Sequence, residues 1–135
     1  MEMHIVHRNL TNPEQLAVLG VMIRDGAENS ALQTIWEHID EVMNEEDEFV
    51  DSGIHFNIEE ALPNDRRYFA YRGSLTTPPC SEVVEWRVLK EPIEMSREQI
   101  NAFVALLDHS CCPLNGNNRP TQPLNGRSLK LDKKE

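Results

Sequence analysis

Residues 2–8 alternate in the manner of a strand, with Glu2, His4 and Val6 on one face and Met3, Ile5 and His7 on the other. Leu10-Thr11-Asn12-Pro13-Glu14 follows as a turn, signalled by its Asn-Pro pair. Leu16 to Ile23 is then an almost unbroken apolar run, the pattern of a strand covered on both faces in the middle of a sheet. Ser30-x-x-Gln33 has the form of a capping box. It predicts a helix whose apolar positions Leu32, Ile35, Trp36, Ile39 and Val42 recur at helical spacing. Residues 44–51 form an acidic stretch expected to be a solvated loop, and 57–62 a short helical turn. Arg67–Arg72 and Val83–Leu89 read as strands on either side of Gly73-Ser74-Leu75-Thr76-Thr77-Pro78-Pro79. A second capping box, Ser96-x-x-Gln99, predicts a helix with Ile100, Phe103, Val104 and Leu107 turned inward. Beyond Asp108 the chain is rich in Pro, Asn and Gly, and its charged end from Lys130 is expected to fray. Strands outnumber helices, and the helices are short. The fold class is therefore mainly β (α+β), a sheet with peripheral helices.

Composition narrows the function classes. The 135 residues make at most one domain, and a 39% hydrophobic content suits a folded chain. Acidic residues outnumber basic ones by 23 to 13, for a formal charge of -10. Clustered Lys and Arg for a phosphate backbone are lacking, so no nucleic-acid partner is expected. No apolar run approaches the roughly 20 residues of a membrane helix, and the strand-like start leads to the expectation of no signal peptide. Cys80, Cys111 and Cys112 are an odd set. A bridge between the adjacent pair would be strained, and no Cys-x-x-Cys spacing suggests a zinc knuckle, so free thiols are expected.

Two places could carry chemistry. Glu2 and His4 share a strand face, where a carboxylate can accept the spare ring N–H of a histidine and make it a better metal ligand. A strand histidine is more often structural, so this pattern alone is weak. His7 points the other way and reads as a hydrogen-bonded structural residue, while His38, His55 and His109 read as surface residues. In Ser74-Leu75-Thr76-Thr77-Pro78-Pro79 two prolines stiffen the backbone after two hydroxyls. That segment serves equally as a rigid turn or as a holder of a hydroxyl near a ligand.

Five blocks in register change the picture. They are Glu2-Met3-His4-Ile5-Val6-His7-x-Asn9, Leu16-Ala17-Val18-Leu19-Gly20, Gly73-Ser74-Leu75-Thr76-Thr77-Pro78-Pro79-Cys80-Ser81-Glu82, Val84-x-Trp86-x-Val88-Leu89, and Asn118-Arg119-Pro120-x-Gln122-Pro123-Leu124-Asn125-Gly126-Arg127. In order and spacing they resemble the C-terminal half of the α-class carbonic anhydrases, bacterial members in particular, over residues 1–128, with 129–135 left as a tail. The resemblance implies a large, mostly antiparallel sheet, a Zn2+ cofactor, and carbon dioxide and bicarbonate as substrate and product. It implies that His4 is a zinc ligand with Glu2 orienting it, that Thr76 meets the zinc-bound hydroxide and the bound anion, and that Thr77 lies beside it in the substrate cavity. Val6, Val18, Leu75, Val84 and Trp86 would form the apolar wall for carbon dioxide. In that family zinc lowers the pKa of its water to about 7.

The resemblance also carries a departure. The family's other two zinc ligands come from a His-x-His strand, and no His-x-His occurs here. The chain is therefore expected to be a truncated or split form, inactive alone or non-catalytic, and prone to self-association or to pairing with an N-terminal half. Cys80 would be an orphan thiol. A full-length parent would be periplasmic or secreted, and the chain as it stands would stay in the cytoplasm.

Overall fold

A computed structural model describes residues 1–38, 55–109 and 117–132. The acidic stretch 44–51, Ile39, Val42, Cys111 and Cys112, and the side chains of Leu107 and His109, lie outside what is described. By contacts the chain divides into two compact units. One comprises Met1–Ile23, Pro63–Pro92 and Asn117–Glu135; the other comprises Arg24–Leu62 and Ile93–Gly116.

The first unit is built on strands. The alternating segment at the start is β1 (Glu2–Arg8), and the apolar run becomes β2 (Leu16–Asp25), whose last two residues belong to the second unit. β3 (Tyr68–Gly73) and β4 (Val84–Leu89) follow, and β6 (Lys130–Leu131) closes the chain. The strand order is β1-β2-β4-β3-β6. β2 is an interior strand, as its apolar run predicts, but only one of its flanks is antiparallel. It pairs antiparallel with β1 (Val6 opposite Val18) and parallel with β4 (Val18 opposite Trp86).

Two expectations change here. Cover on both faces of β2 is incomplete, because Met22 is 47% exposed. The charged end does not fray at Lys130 either. Phe69 and Ala70 of β3 pair with Leu131 and Lys130, and Asp132 N–H donates to Tyr68 O at 2.8 Å. An open ladder on β3 offers backbone partners that no side-chain pattern reveals.

The second unit is helical, with the short strand β5 (Ile93–Met95). Helix α1 (Ser30–Trp36) starts one residue earlier than its capping box suggests. Asn29, not Ser30, is the cap, and its Oδ1 accepts the N–H of Leu32 at 3.1 Å. The turn at 57–62 is a 3-10 helix, Ile58–Ala61, capped by Asn57. Helix α2 (Arg97–His109) begins with the expected capping box: Ser96 Oγ accepts from Gln99 N, and Gln99 Oε1 accepts from Ser96 N. The inward stripe of α2 runs through Gln99, Ile100 and Phe103, the last 6.1 Å from the Trp36 ring. Val104, expected inside, is turned about a quarter of the helix away and is 47% exposed. His38 is half-buried rather than superficial.

Candidate active site

Strand pairing puts the candidate residues on one face of the first unit. Register partners share a face, so Glu2, His4 and Val6 of β1 join Val18 and Gly20 of β2, Val84 and Trp86 of β4, and Tyr71 and Gly73 of β3. Gly20 lies opposite His4 and leaves space that a side chain would fill. A Cβ there would meet Val88 Cγ2 at 3.3 Å and the Trp86 ring at 3.6 Å. Across that gap the His4 and Trp86 rings meet edge to face, centroids 4.8 Å apart. His4 Nε2 lies 3.1 Å from Glu2 Oε1, which leaves Nδ1 with no partner among the described residues.

Trp86 organises the rest. It is 6% exposed and forms a core with Val18 and Val84, against which Leu75, Tyr71 and Val88 pack. Its indole N–H donates to Ser74 O at 3.1 Å. Gly73 is required beside it, because a Cβ would approach Trp86 Cδ1 to 2.9 Å. After Gly73 the chain folds back on itself, with Leu75 N–H on Ser81 O and Cys80 N–H on Thr77 O, both at 2.9 Å. Cys80 sits at φ 59° as a half-buried free thiol. Thr76 is half-buried and shares a cleft of about 310 Å³ with Glu2, His4 and Trp86. Its hydroxyl makes no hydrogen bond among the described residues. No buried side-chain N or O atom there lacks a partner, so solvent reaches this hydroxyl.

Not every candidate gathers. Val18, Leu75, Val84 and Trp86 form one apolar cluster, but Val6 stands 60% exposed outside it. Thr77 is exposed and does not line the cleft. His7 is on the opposite face, as the alternation predicts, but it is exposed and makes no ring hydrogen bond among the described residues. It borders a larger groove of about 700 Å³, where Arg72 pairs with Glu85 at 2.8 Å. That groove contains neither His4 nor Thr76.

Arg119, Arg127 and Tyr71 line the cleft but carry no role in the sequence reading. Arg119 Nη1 donates to Ser74 Oγ at 2.6 Å, and Arg127 Nη1 to Arg72 O at 3.0 Å. Tyr71 lines the same cleft, and its phenol is pushed up from 10.0 by burial first and the Glu2 charge second, with Arg127 opposing. Single arginines in a proline-rich segment have no periodicity to announce them. The available signal is that a half-buried guanidinium needs acceptors.

Among the described residues no group of three or more His, Cys, Asp or Glu side chains could hold a metal ion. The Glu2–His4 pair suits one ligand position with its orienting carboxylate, but these residues do not make a zinc site by themselves. No described helix is long and apolar enough to cross a membrane.

Comparison with known proteins identifies the family of this mixed sheet and its histidine–carboxylate pair. Residues 1–133 match the family model described as eukaryotic-type carbonic anhydrase, and the chain belongs to that family. It is 40% identical over 129 residues to a carbonic anhydrase of Pectobacterium atrosepticum, covering 96% of this chain and 48% of that protein. A carbonic anhydrase of Klebsiella pneumoniae is 41% identical over 127 residues, covering 94% and 47%. Among solved structures, the α-carbonic anhydrase of Thermovibrio ammonificans in complex with the inhibitor sulfanilamide superposes with a TM-score of 0.78 at 40% identity. The match covers 95% of this chain and 52% of that one. A hyperthermostable carbonic anhydrase from a hydrothermal vent chimney gives a TM-score of 0.82 at 37% identity, covering 98% and 54%. The chain thus spans about half the length of the relatives it matches.

Proposed function

We propose that this chain forms the substrate-facing half of a site for the reversible hydration of carbon dioxide, and that the remaining metal ligands come from outside its described residues. The observation that carries this reading is the Glu2 carboxylate 3.1 Å from His4 Nε2, with Nδ1 left free. A carboxylate in that place fixes the tautomer and raises the basicity of the other nitrogen, which is what a metal-binding imidazole needs. Zn2+ is the metal that family membership supplies to the proposal. The chain's own residues do three further things. Trp86 and Gly20 hold the His4 ring in one orientation. Thr76 brings an unengaged hydroxyl to the same cleft, where it can accept or donate to a bound anion. Trp86 and Val88 give a small apolar molecule an apolar wall in the cleft, backed by Val18, Leu75 and Val84, which pack around Trp86 and do not line the cleft.

Two more imidazoles are then needed, and the surface around the cleft supports a polypeptide source for them. Val6, Met22, Leu124 and Leu129 remain 60%, 47%, 55% and 52% exposed. β1, which among the described residues pairs only with β2, ends the strand order and leaves a backbone ladder open there. A covering chain that carries a His-x-His strand would bury these groups and complete the ligand set.

The lack of a three-ligand cluster among the described residues favours one alternative, a non-catalytic chain that self-associates through the same edge. Mixing the purified chain with a separately produced polypeptide carrying a His-x-His strand separates the two. Stopped-flow hydration that appears only on mixing and needs zinc supports the half-site. Stable homodimers without any hydration, mixed or alone, would support the alternative.

A further inference from the structure

We propose that Arg119 is a positioning residue for Thr76, acting through the Ser74 side chain. The idea rests on the reading of Thr76 given above, and it adds a residue to which that reading assigns nothing.

Thr76 makes no hydrogen bond of its own among the described residues, so the backbone before it must set where its hydroxyl stands. That backbone is gripped at Ser74 by two atoms from different parts of the chain. Trp86 of β4 donates its indole N–H to Ser74 O at 3.1 Å, and Arg119 donates Nη1 to Ser74 Oγ at 2.6 Å. One residue later, Leu75 N–H on Ser81 O closes the loop. Ser74 therefore cannot turn about its own backbone without breaking one of two bonds. Thr76 follows two residues on.

The charge on Arg119 sharpens the point. The chain carries 23 acidic side chains, yet among the described residues none lies within ion-pair distance of this half-buried guanidinium. Arg24, Arg67, Arg72 and Arg97, by contrast, pair with Glu94, Asp65, Glu85 and Asp25. Arg119 instead spends a charge-assisted bond on a neutral hydroxyl next to the threonine loop. A segment that only needed anchoring to the sheet could use backbone carbonyls, as Arg127 does with Leu124, Arg72 and Pro123.

The molecule contains its own control. Its two tryptophans each donate an indole N–H to a carbonyl, Trp86 to Ser74 and Trp36 to Gln99 O at 2.7 Å in the second unit. The test is two-dimensional NMR of the full chain with Arg119→Ala, Ser74→Ala and the double variant. In Arg119→Ala the Trp86 indole and Thr76 amide resonances should move, with amide exchange at Leu75 about tenfold faster, while Trp36 stays in place. Ser74→Ala should give the same displacement, and the double variant should add nothing to it. Unmoved Trp86 and Thr76 resonances, or fully additive changes, would overturn the proposal. If Arg119→Ala also displaces Trp36, Ser74→Ala decides: Trp86 and Thr76 must move with Trp36 fixed, and failure to do so overturns it. None of these readouts depends on hydration. Should Thr76→Ala leave hydration in the mixed system unchanged while the NMR pattern holds, the functional reading of Thr76 fails and the Arg119–Ser74 linkage stands.

Discussion

Around Trp36 and Trp86 the polar groups are in opposite states. In the second unit, Gln99 is 5% exposed and fully engaged: Oε1 accepts from Asn29 N and Ser96 N, and Nε2 donates to Asn29 O and Gln33 Oε1. Its neighbour Asn29 caps α1 and donates to Glu94 O. Every polar partner there comes from the unit itself. In the first unit, His4 and Thr76 line a cleft where Nδ1 and the hydroxyl have no partner among the described residues, and Met22, Leu124 and Leu129, which line it too, stay exposed. A protein seldom leaves both kinds of group unfinished on one face for structural reasons alone. Free polar groups converging beside a dry wall mark a site, and exposed apolar neighbours mark a surface to be covered.

The largest effect should come from Trp86→Ala. It removes the centre of the first unit's core and the donor to Ser74, at a cost of about 3–5 kcal/mol in urea unfolding. Gln99→Leu should cost somewhat less, about 2–3 kcal/mol, by leaving two backbone N–H groups and one carbonyl unsatisfied in the second unit. If Gln99→Leu proved neutral, the second unit would not depend on its polar network and the contrast would weaken.

Val6→Lys sharpens the other side. Val6 is already 60% exposed, so the chain's own stability should change by less than about 0.5 kcal/mol. Hydration on mixing with the His-x-His polypeptide should nevertheless fall at least tenfold, because a charge would enter the covered surface. Equal loss in both measurements would make Val6 a structural residue.

The smallest effect concerns acid. The Asp65 carboxyl is held at about 2, below its ordinary 3.8, first by the side-chain bond from Arg67 and then by the Arg67 backbone N–H. A depressed carboxylate stabilises the fold above its unfolded pKa, and that contribution is lost as pH falls through the folded value. Asp65→Asn should therefore flatten the decline of stability between about pH 4 and pH 2 and leave the curve's shape above pH 5 unaltered. The pair is half-exposed and screened by solvent, so the change should be small.

How much of this was legible in advance depended on where the information lies. Alternation placed Glu2 and His4 together, because strand geometry is local. Ser96-x-x-Gln99 was legible for the same reason. Asn29 was missed in favour of Ser30 because both cap well and one residue separates them. The parallel pairing of β2 with β4 could not be read from periodicity, which reports faces but not neighbours. β6 was hidden because Lys130 and Leu131 pair through backbone atoms. Arg119 and Tyr71 were hidden because their roles depend on residues 45 and 15 positions away, Ser74 and Trp86. Val104 followed a correct period about a stripe centred one position off.

The most direct measurement is zinc calorimetry on the purified chain, run beside stopped-flow carbon dioxide hydration. Alone, the chain should bind zinc weakly and without one-to-one stoichiometry, and hydrate no faster than zinc in buffer. Mixed with a polypeptide carrying the His-x-His strand, it should gain both tight binding and hydration, and lose them on chelation. Tight one-to-one zinc binding with hydration by the chain alone would contradict the half-site.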